Sequence, residues 1–345
     1  MVINTIHNVS VKGIAVAVPE KWVSIESLKT DENRDNLEKF EKNTGISGHF
    51  FADERQTASD FCCAAACSII SKNNIDKGEI GILVFVSQYP DYNTPSTACS
   101  LQYRLGLSND CIAFDVNLGC SGFTYGMNIV SSLLKLSTSR YGLLLVGDTA
   151  ASTGKQKGNS VLLFGDAGSA TLLEKTTSED SITVCSMTDG SGFKNLWQPY
   201  GFARHRDKAN NKSYHDELNV FNFAINEAPK MINEYFSQTG LTPNDFDGLA
   251  LHQANLMIMK NIAKRTKFDK EKLLISLDRF SNTSGASIPT ALVKYYGESE
   301  DDKLLRMMTC GFGVGLSWAM ADFKINTRDI LPLVITNEYY DDGEF

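Results

Sequence analysis

The sequence predicts an α/β protein in which one structural unit occurs twice. Apolar runs of strand length alternate along the chain with amphipathic runs of helix length, which is the pattern of α/β proteins. Three pairs of similar segments also occur at nearly the same offset. The first pair begins at Glu79 and Asp245, 166 residues apart, and the second begins at Asp115 and Asp278, 163 residues apart. The third pair ends at Gly147 and Gly311, 164 residues apart. Such a repeat indicates two copies of one α/β unit that face each other.

The individual elements can be assigned in order along the chain. Strands are predicted over residues 11–19, 80–88, 111–116, 141–149, 160–175 and 181–190. Helices are predicted over residues 57–73, 96–106 and 122–136, and the last of these has apolar side chains on one face at steps of three and four. Residues 191–216, which are polar and rich in aromatic side chains, are interpreted as an insertion that covers part of the molecule.

The overall composition is that of a globular protein with a large core. The chain has 345 residues, of which 42% are hydrophobic, and a net charge of -8 that argues against nucleic acid as a partner. The N-terminus lacks the basic start and apolar run of a signal peptide, and no apolar stretch has the ~20 residues needed to cross a bilayer. We therefore expect a cytoplasmic protein that does not act on a membrane.

The eight cysteines are scattered along the chain, which is not the spacing of a disulfide framework. Cys63 and Cys67 are one helical turn apart, but a metal site would need two more ligands at a comparable spacing. They are interpreted as small packing residues, with a metal clip as the alternative. No metal is expected.

Cys120 is the first candidate for chemistry. It lies between two glycines, Gly119 and Gly122, at the point where an apolar strand is followed by a helix. The helix dipole and free amides at the start of a helix favour a thiolate, so Cys120 is a candidate nucleophile. The alternative is a buried cysteine at the end of a strand.

Two polar residues lie at related positions in the second copy. His252 directly follows an apolar strand, and Asn282 immediately precedes Thr283, which aligns with Cys120 in the repeat. Corresponding turns of two copies meet at their interface, where open α/β sheets bind ligands, so Cys120, His252 and Asn282 are expected to converge. Considered alone, His252 is also explained as a structural histidine and Asn282 as a turn residue.

Three glycines, Gly311, Gly313 and Gly315, precede a segment that alternates like a strand. A dinucleotide fingerprint would be followed by a helix, so that function is not supported. The glycines are interpreted as closely approaching backbone whose amides can face a reacting oxygen.

Five segments follow one another along the chain: DVNLGCSGFTYGM, FGDAGSATLL, LHQANLMIMKNIAKR, SNTSGASIPTAL and GFGVGLSWAMADF. In this order they resemble the motifs of β-ketoacyl-acyl-carrier-protein synthase III, a family of thiolase-fold condensing enzymes. The resemblance implies an α/β thiolase-like fold of two pseudo-symmetric βαβαβαββ halves in a five-layered αβαβα arrangement. Residues 1–176 would form the half that carries the cysteine, residues 177–325 the half that carries histidine and asparagine, and residues 326–345 an extension of unknown role.

The same resemblance implies the chemistry. Cys120, His252 and Asn282 would be the catalytic residues, and the backbone amides of Cys120 and Val314 the oxyanion hole. Cys120 would take an acyl group from a thioester and condense it with a malonyl-carrier-protein thioester, with loss of carbon dioxide, as in fatty acid biosynthesis. The substrates would be phosphopantetheine-linked, with no further cofactor. One alternative is transfer of the acyl group to an amine or hydroxyl in a specialised pathway, and another is a non-catalytic partner subunit.

The resemblance also implies a homodimer that binds an acyl carrier protein. In the dimer, Thr94 would reach the acyl pocket of the neighbouring subunit. The candidate docking surface for the carrier is a basic helix face with Lys260, Lys264 and Arg265 in an otherwise acidic chain. A solvated helix face without a partner is the alternative.

The chain departs from the family where coenzyme A is held. Lys39 and Asn43 stand in place of the tryptophan and arginine that clamp the adenine, and Gly158 in place of a second arginine. Met257 replaces an arginine near the tunnel mouth. We therefore expect acyl-carrier thioesters to be better first donors than acetyl-coenzyme A, and the small Thr94 indicates room for a longer or branched acyl group.

Overall fold

The computed structural model describes residues 1–29, 37–152, 160–201, 203–207 and 213–343. The strands in these ranges are β1 (Val2–His7), β2 (Val9–Pro19), β3 (Trp22–Ser24), β4 (Gly48–Phe50), β5 (Ile80–Val86), β6 (Ile112–Val116), β7 (Tyr141–Asp148), β8 (Ala167–Lys175), β9 (Ser181–Thr188), β10 (Leu196–Trp197), β11 (Tyr214–His215), β12 (Gly248–Leu251), β13 (Leu304–Gly313), β14 (Ser317–Asn326) and β15 (Val334–Thr336).

The helices are α1 (Leu37–Thr44), α2 (Ala58–Lys72), α3 (Thr97–Arg104), α4 (Gly122–Leu136), α5 (Ser160–Leu163), α6 (Glu217–Thr239), α7 (Leu256–Arg265), α8 (Leu277–Phe280) and α9 (Ser287–Tyr296). Across the described ranges, none of the helices combines the length and the apolar composition that a membrane span requires.

Two large sheets repeat the same strand pattern. In the first sheet β5 is parallel to β7, β7 is antiparallel to β8, and β8 is antiparallel to β2. In the second sheet β12, β13, β14 and β9 repeat these directions in the same order. The predicted duplication is therefore confirmed, and the matched segments at Glu79 and Asp245 lead into the equivalent strands β5 and β12.

The helices form three layers around the two sheets. Helices α4 and α9 pack between the sheets, α2 and α3 cover the outer face of the first sheet, and α6 packs on the outer face of the second sheet together with α7. All residues of β5 and β7 are buried, which explains why these strands are continuous apolar runs. The predicted five-layered thiolase-like arrangement is confirmed.

In the part of the second copy that the structure describes, most of the strand that corresponds to β6 is missing, and a single bridge between Leu249 and Leu273 takes its place. The buried side chain of Gln253 takes over the pairing: its Nε2 donates to the carbonyls of Leu251 and Leu274 (2.7 and 3.2 Å), and its Oε1 accepts from the Ser276 amide (2.8 Å). A side-chain amide thus satisfies main-chain groups that a strand would otherwise pair.

The prediction of one strand over residues 160–175 is wrong in its first part, because α5 and a turn precede β8. A Cβ at Gly165 would lie 2.2 Å from the carbonyl oxygen of Phe280, so this turn requires glycine. The buried carboxylate of Asp166 accepts from the amides of Ala52 and Ala151 (3.0 and 2.8 Å). These contacts hold the turn in place before β8 begins.

Each end of the chain adds a strand to the sheet of the opposite copy. The first strand, β1, pairs antiparallel with β9 in the second sheet, and β15 pairs parallel with β2 in the first sheet. The order of strands is therefore β15-β2-β8-β7-β5-β6 in one sheet and β1-β9-β14-β13-β12 in the other. The division at residues 176 and 177 stays a prediction, and the C-terminal extension becomes an edge strand followed by a tail.

Candidate active site

A cavity of about 980 Å³ is lined by residues of both copies. The side chains of Cys120, His252 and Asn282 all line it, together with Gly313 and Val314. The structure thus brings the three predicted catalytic residues and the predicted oxyanion segment to one place. Their roles in a reaction stay predictions.

Cys120 lies in the turn between β6 and α4. The amides of Val314 and of Cys120 itself hydrogen-bond to its sulfur. Burial, with a smaller contribution from the charge of Asp148, nevertheless raises the pKa of the Cys120 thiol to about 12. The amides therefore favour the thiolate as expected, but desolvation outweighs them, so the net shift of the pKa is upward.

His252 is held by one hydrogen bond of its main chain and one of its ring. Its amide donates to the carbonyl of Cys310 (2.8 Å), and its Nδ1 lies 2.8 Å from Oγ of Ser287. The Ser287 Oγ also accepts from the Gln253 amide (3.4 Å). When the Ser287 hydroxyl donates to Nδ1, the ring proton lies on Nε2, which is the tautomer that can donate a hydrogen bond from Nε2. Burial lowers the pKa of His252 to about 4, so at neutral pH the ring is an uncharged donor.

Asn282 is held by its main chain and by its side-chain oxygen. Its amide donates to Leu163 and its carbonyl accepts from Gly165, both at 3.1 Å. The side-chain Oδ1 accepts from the Ser284 amide (2.9 Å), which assigns Nδ2 as the group available to the cavity. Ser281 and Ser284 have φ values of 55° and 51°, a left-handed conformation that is unusual for residues other than glycine.

Sequence reasoning missed Asp148, which joins the two halves of the site. Its Oδ1 accepts from the Ser87 hydroxyl and the Gln88 amide (both 2.8 Å), and Ser284 also hydrogen-bonds to it. Burial raises the pKa of Asp148 to about 6. Its position in the sequence could have indicated this role, because Asp148 ends the buried strand β7, which corresponds to β13, the strand of Gly311 and Gly313, in the second copy.

Two of the three glycines of the β13 segment lie against the nucleophile. A Cβ on Gly311 would be 2.7 Å from the Cys120 carbonyl oxygen, and a Cβ on Gly313 would be 2.6 Å from the Cys120 Cβ. The interpretation of Gly311 and Gly313 as closely approaching backbone is confirmed. The amide of Val314, the next residue, consequently reaches the sulfur of Cys120.

Helix α1 and the segment between the copies both line the cavity. Lys39 and Asn43 line it from α1, and Trp197 and His215 line it from residues 191–216. For its described residues, the interpretation of this segment as a cover is confirmed. Gly158 lies outside the described residues. Met257 is exposed at the start of α7.

The remaining predicted residues lie at the surface. Thr94 is exposed and is not among the described residues that line the cavity of its own chain, so its contribution to a neighbouring subunit stays a prediction. Lys260 and Lys264 are exposed on α7. Arg265 donates to the Ile225 carbonyl and to Oδ1 of Asn226, the latter at 2.8 Å, so it joins α7 to α6, and its charge stays exposed beside the two lysines.

The cysteines other than Cys120 lie outside this cavity. All eight cysteines are free thiols, and Cys63 and Cys67 are one turn apart on α2, as predicted. Within the described ranges, no group of three or more histidine, cysteine, aspartate or glutamate side chains could hold a metal ion. Cys63 and Cys67 therefore have no further ligand in that part of the chain.

Comparisons with known proteins identify relatives along most of the chain. Residues 114–190 match the family described as 3-oxoacyl-[acyl-carrier-protein] synthase III, and residues 236–325 match its C-terminal domain. The β-ketoacyl-[acyl-carrier-protein] synthase III of Caldanaerobacter subterraneus is 33% identical over 81% of this chain and 87% of its own length. A putative 3-oxoacyl-[acyl-carrier-protein] synthase 3 of Campylobacter jejuni is 31% identical over 93% and 96%. The crystal structure of a 3-oxoacyl-(acyl-carrier protein) synthase from Burkholderia xenovorans has a TM-score of 0.91 and 29% identity, covering 97% of this chain and 99% of that one.

Proposed function

The chain belongs to the 3-oxoacyl-[acyl-carrier-protein] synthase III family, and from this we infer that it is an acyltransferase that performs a decarboxylative Claisen condensation. Its substrates are an acyl thioester and a malonyl-carrier-protein thioester, and its product is a β-ketoacyl thioester. This reaction belongs to fatty acid biosynthesis. Transfer of the acyl group to an amine or hydroxyl is not favoured, because the relatives are named as synthases of this type.

In the first half-reaction, Sγ of Cys120 attacks the carbonyl carbon of the acyl thioester. The bond from that carbon to the sulfur of the donor breaks, and the departing thiolate takes up the proton that the Cys120 thiol gives up. The amides of Cys120 and Val314 already face the sulfur, so they are placed to stabilise the oxyanion that forms next to it. Acylation thus needs no permanently ionised thiol.

In the second half-reaction, the malonyl thioester loses carbon dioxide and leaves an enolate. Nε2 of His252 and Nδ2 of Asn282 donate hydrogen bonds to the enolate oxygen, and the α-carbon attacks the acyl carbon on Cys120 and releases the thiolate. The observation that carries this proposal is that two neutral donors and the nucleophile line one cavity. Release of carbon dioxide from malonyl-carrier protein by enzyme acylated on Cys120 tests it, and acyl transfer without that release would contradict it.

We propose that these steps need only phosphopantetheine-linked substrates, since a thiol and hydrogen-bond donors supply the chemistry without a metal. A cytoplasmic location is proposed as well. It is supported by the eight cysteines, all of which are free thiols and one of which has to stay reduced to act as the nucleophile.

We predict that acyl-carrier thioesters acylate Cys120 at least a hundredfold faster than acetyl-coenzyme A. An adenine clamp of arginines contributes charge-assisted contacts of ~1.5–3 kcal/mol each, and ~1.4 kcal/mol corresponds to a factor of ten. Lys39 can contact a phosphate, but Asn43 and Gly158 lack the guanidinium groups of the two arginines, so two such contacts are lost. The measurement is single-turnover acylation with the same acyl group, medium-length or branched, on coenzyme A and on carrier protein.

Acetyl groups on both carriers provide the control for acyl-chain length in this comparison. A faster reaction with acetyl-coenzyme A would contradict the prediction. Such a result would indicate that Trp197, an aromatic side chain that lines the cavity, holds the adenine in place of the missing tryptophan.

We propose that the acyl carrier protein docks on the exposed basic face of α7, with Lys260 and Lys264 as its charges. Lys264→Glu is expected to raise the KM for a carrier-bound substrate about three- to fivefold, with kcat nearly unchanged, because one surface charge pair contributes ~0.2–1 kcal/mol and its reversal adds repulsion. The effect should shrink in high salt. Lys324→Glu, at an exposed lysine on β14, is the matched control. Equal KM values in both variants would contradict docking on the basic face of α7.

We propose that the protein is a homodimer joined through β6. This strand is the last in its sheet, it pairs only with β5 among the described strands, and Ile112 is 53% exposed. An apolar strand at a free sheet edge is suited to continue the sheet across a twofold axis. Light scattering at micromolar concentration is expected to give twice the chain mass of 38.0 kDa.

A pair of variants with equal exposure tests the position of that interface. Ile112→Asp is expected to dissociate the dimer, because it would place a carboxylate at the apolar edge that the two subunits share. Ile335 is also 53% exposed but lies on β15, at the opposite edge of the sheet, so Ile335→Asp should leave the mass unchanged. A monomeric parent, or dissociation by Ile335→Asp alone, would contradict the assignment.

A further inference from the structure

The C-terminal tail, defined here as residues 337–343, leaves the first sheet after β15 and crosses the start of α2. Gln56 holds its beginning, because Nε2 of Gln56 donates to the carbonyls of Thr336 and Glu338 (3.1 and 3.0 Å). The guanidinium of Arg55 lies 4.2 Å from the ring centre of Tyr339 and donates to its hydroxyl (2.9 Å). The tail is therefore attached to the body of the protein by directed contacts along its length.

Further along, the tail covers a buried ion pair. Arg104 and Asp60 are 2.6 Å apart, and their side chains are only 8% and 4% exposed. The amide of Tyr340 donates to Oδ1 of Asp60 (3.0 Å), and its ring lies 4.7 Å from the Arg104 guanidinium. Tyr340 thus excludes water from a pair whose strength depends on low exposure.

This ion pair continues into the loop formed by residues 87–96. Arg104 donates to Oγ of Ser59 (2.6 Å), and that hydroxyl donates to Oδ2 of Asp91 (2.6 Å). The next residue, Tyr92, donates from its hydroxyl to Oδ2 of Asp342 in the tail (2.7 Å), and this bond raises the pKa of Tyr92 to about 12. The tail therefore holds the loop at Asp91 through the buried pair and at Tyr92 directly.

The same loop forms part of the wall of the active-site cavity. Gln88 and Tyr89 line the cavity with Cys120. Gln88 also packs against the turn that carries the nucleophile, since a Cβ on Gly119 would lie 2.2 Å from its Oε1. The position of this loop consequently fixes the space beside the acyl group on Cys120.

We propose that the tail is a strap that positions the loop of residues 87–96 and thereby determines which acyl chains the cavity accepts. Tyr92 and Asp342 are its positioning residues. This inference rests on the proposed function, because it concerns the acyl group that Cys120 carries. Loosening the strap changes the fit of a long acyl chain and leaves the chemistry at Cys120, His252 and Asn282 intact.

The test compares octanoyl and acetyl thioesters of the same carrier protein in the full-length enzyme. Tyr92→Phe and Asp342→Ala, which remove one hydrogen bond, are expected to raise the octanoyl KM about fivefold relative to the acetyl KM, with kcat unchanged. Asp342→Asn keeps an acceptor oxygen and should restore the parent ratio. Asp341→Ala is the matched control, since Asp341 accepts from Gly343 within the tail.

A stop codon after Asn337 removes the strap and is expected to change the KM ratio by at least tenfold, because several contacts are lost together. If that variant does not fold, the point variants carry the test. If the ratio of octanoyl KM to acetyl KM is unchanged in Tyr92→Phe and Asp342→Ala, the proposed role of the tail is wrong. Failure of the parent enzyme to form acyl-Cys120, detected by intact mass, would instead overturn the proposed function.

Discussion

Replacing Gly313 by alanine is expected to reduce kcat/KM at least a hundredfold. An ideal Cβ at this position would lie 2.6 Å from Cβ and 2.8 Å from Sγ of Cys120, closer than nonbonded carbon and sulfur atoms can approach. Gly313 is paired with Ser317 at the end of β13, so the strand cannot retreat without losing its pairing. Either the thiol or the adjacent Val314 amide must move, and loss of one oxyanion donor alone costs ~10²–10³ in rate.

The measurement is acylation of Cys120 by intact mass together with steady-state kinetics. Gly190→Ala is the matched control, because a Cβ there meets nothing within 4 Å and should leave both quantities at their parent values. Overpacking by one methyl group costs ~1–3 kcal/mol, so a thermal unfolding curve should show that Gly313→Ala is folded. Full acylation at the parent rate would contradict the prediction. It would mean that the end of β13 can move to accommodate the methyl group and that Val314 is not an oxyanion donor.

Much of this geometry could be predicted because the chain repeats itself. The offset between the copies places the turn at Cys120 opposite the turn at Asn282, and His252 follows the strand equivalent to β5. Because the two copies are related by pseudo-symmetry, local similarity in sequence predicts which distant residues lie close together. The position of the candidate site therefore follows from the repeat alone, without any knowledge of side-chain packing.

Other features depend on contacts that no local pattern encodes. In the sequence, Gln253 is one residue of the segment LHQAN. In the structure, its side chain replaces a missing strand by hydrogen-bonding to main-chain groups of Leu251, Leu274 and Ser276. The pKa of Cys120 depends on burial beneath β13 and on Asp148, and a helix terminus alone predicts the opposite direction. The C-terminal tail has no periodic pattern, because its contacts are made by single aromatic and acidic side chains with distant residues.

Removing either hydrogen-bond donor should separate the two half-reactions. In Asn282→Asp, the side chain still accepts from the Ser284 amide but can no longer donate to an enolate oxygen when it is ionised. In His252→Ala, the donor is absent altogether. Both variants should form acyl-Cys120 at a rate within a few-fold of the parent, while release of carbon dioxide from malonyl-carrier protein falls ~10²–10³-fold, which is the cost of losing one oxyanion donor.

Charge at His252 provides a second test of the same step. Burial lowers its pKa to about 4, so the ring is already neutral well below pH 6.5, the ordinary value for histidine. The decarboxylation rate of pre-acylated parent enzyme should therefore be constant between about pH 6.5 and 8.5. A rate that changes twofold around pH 6.5 would indicate a histidine that titrates normally. Loss of acylation in His252→Ala or Asn282→Asp would instead show that these residues act on Cys120 as well as on the enolate.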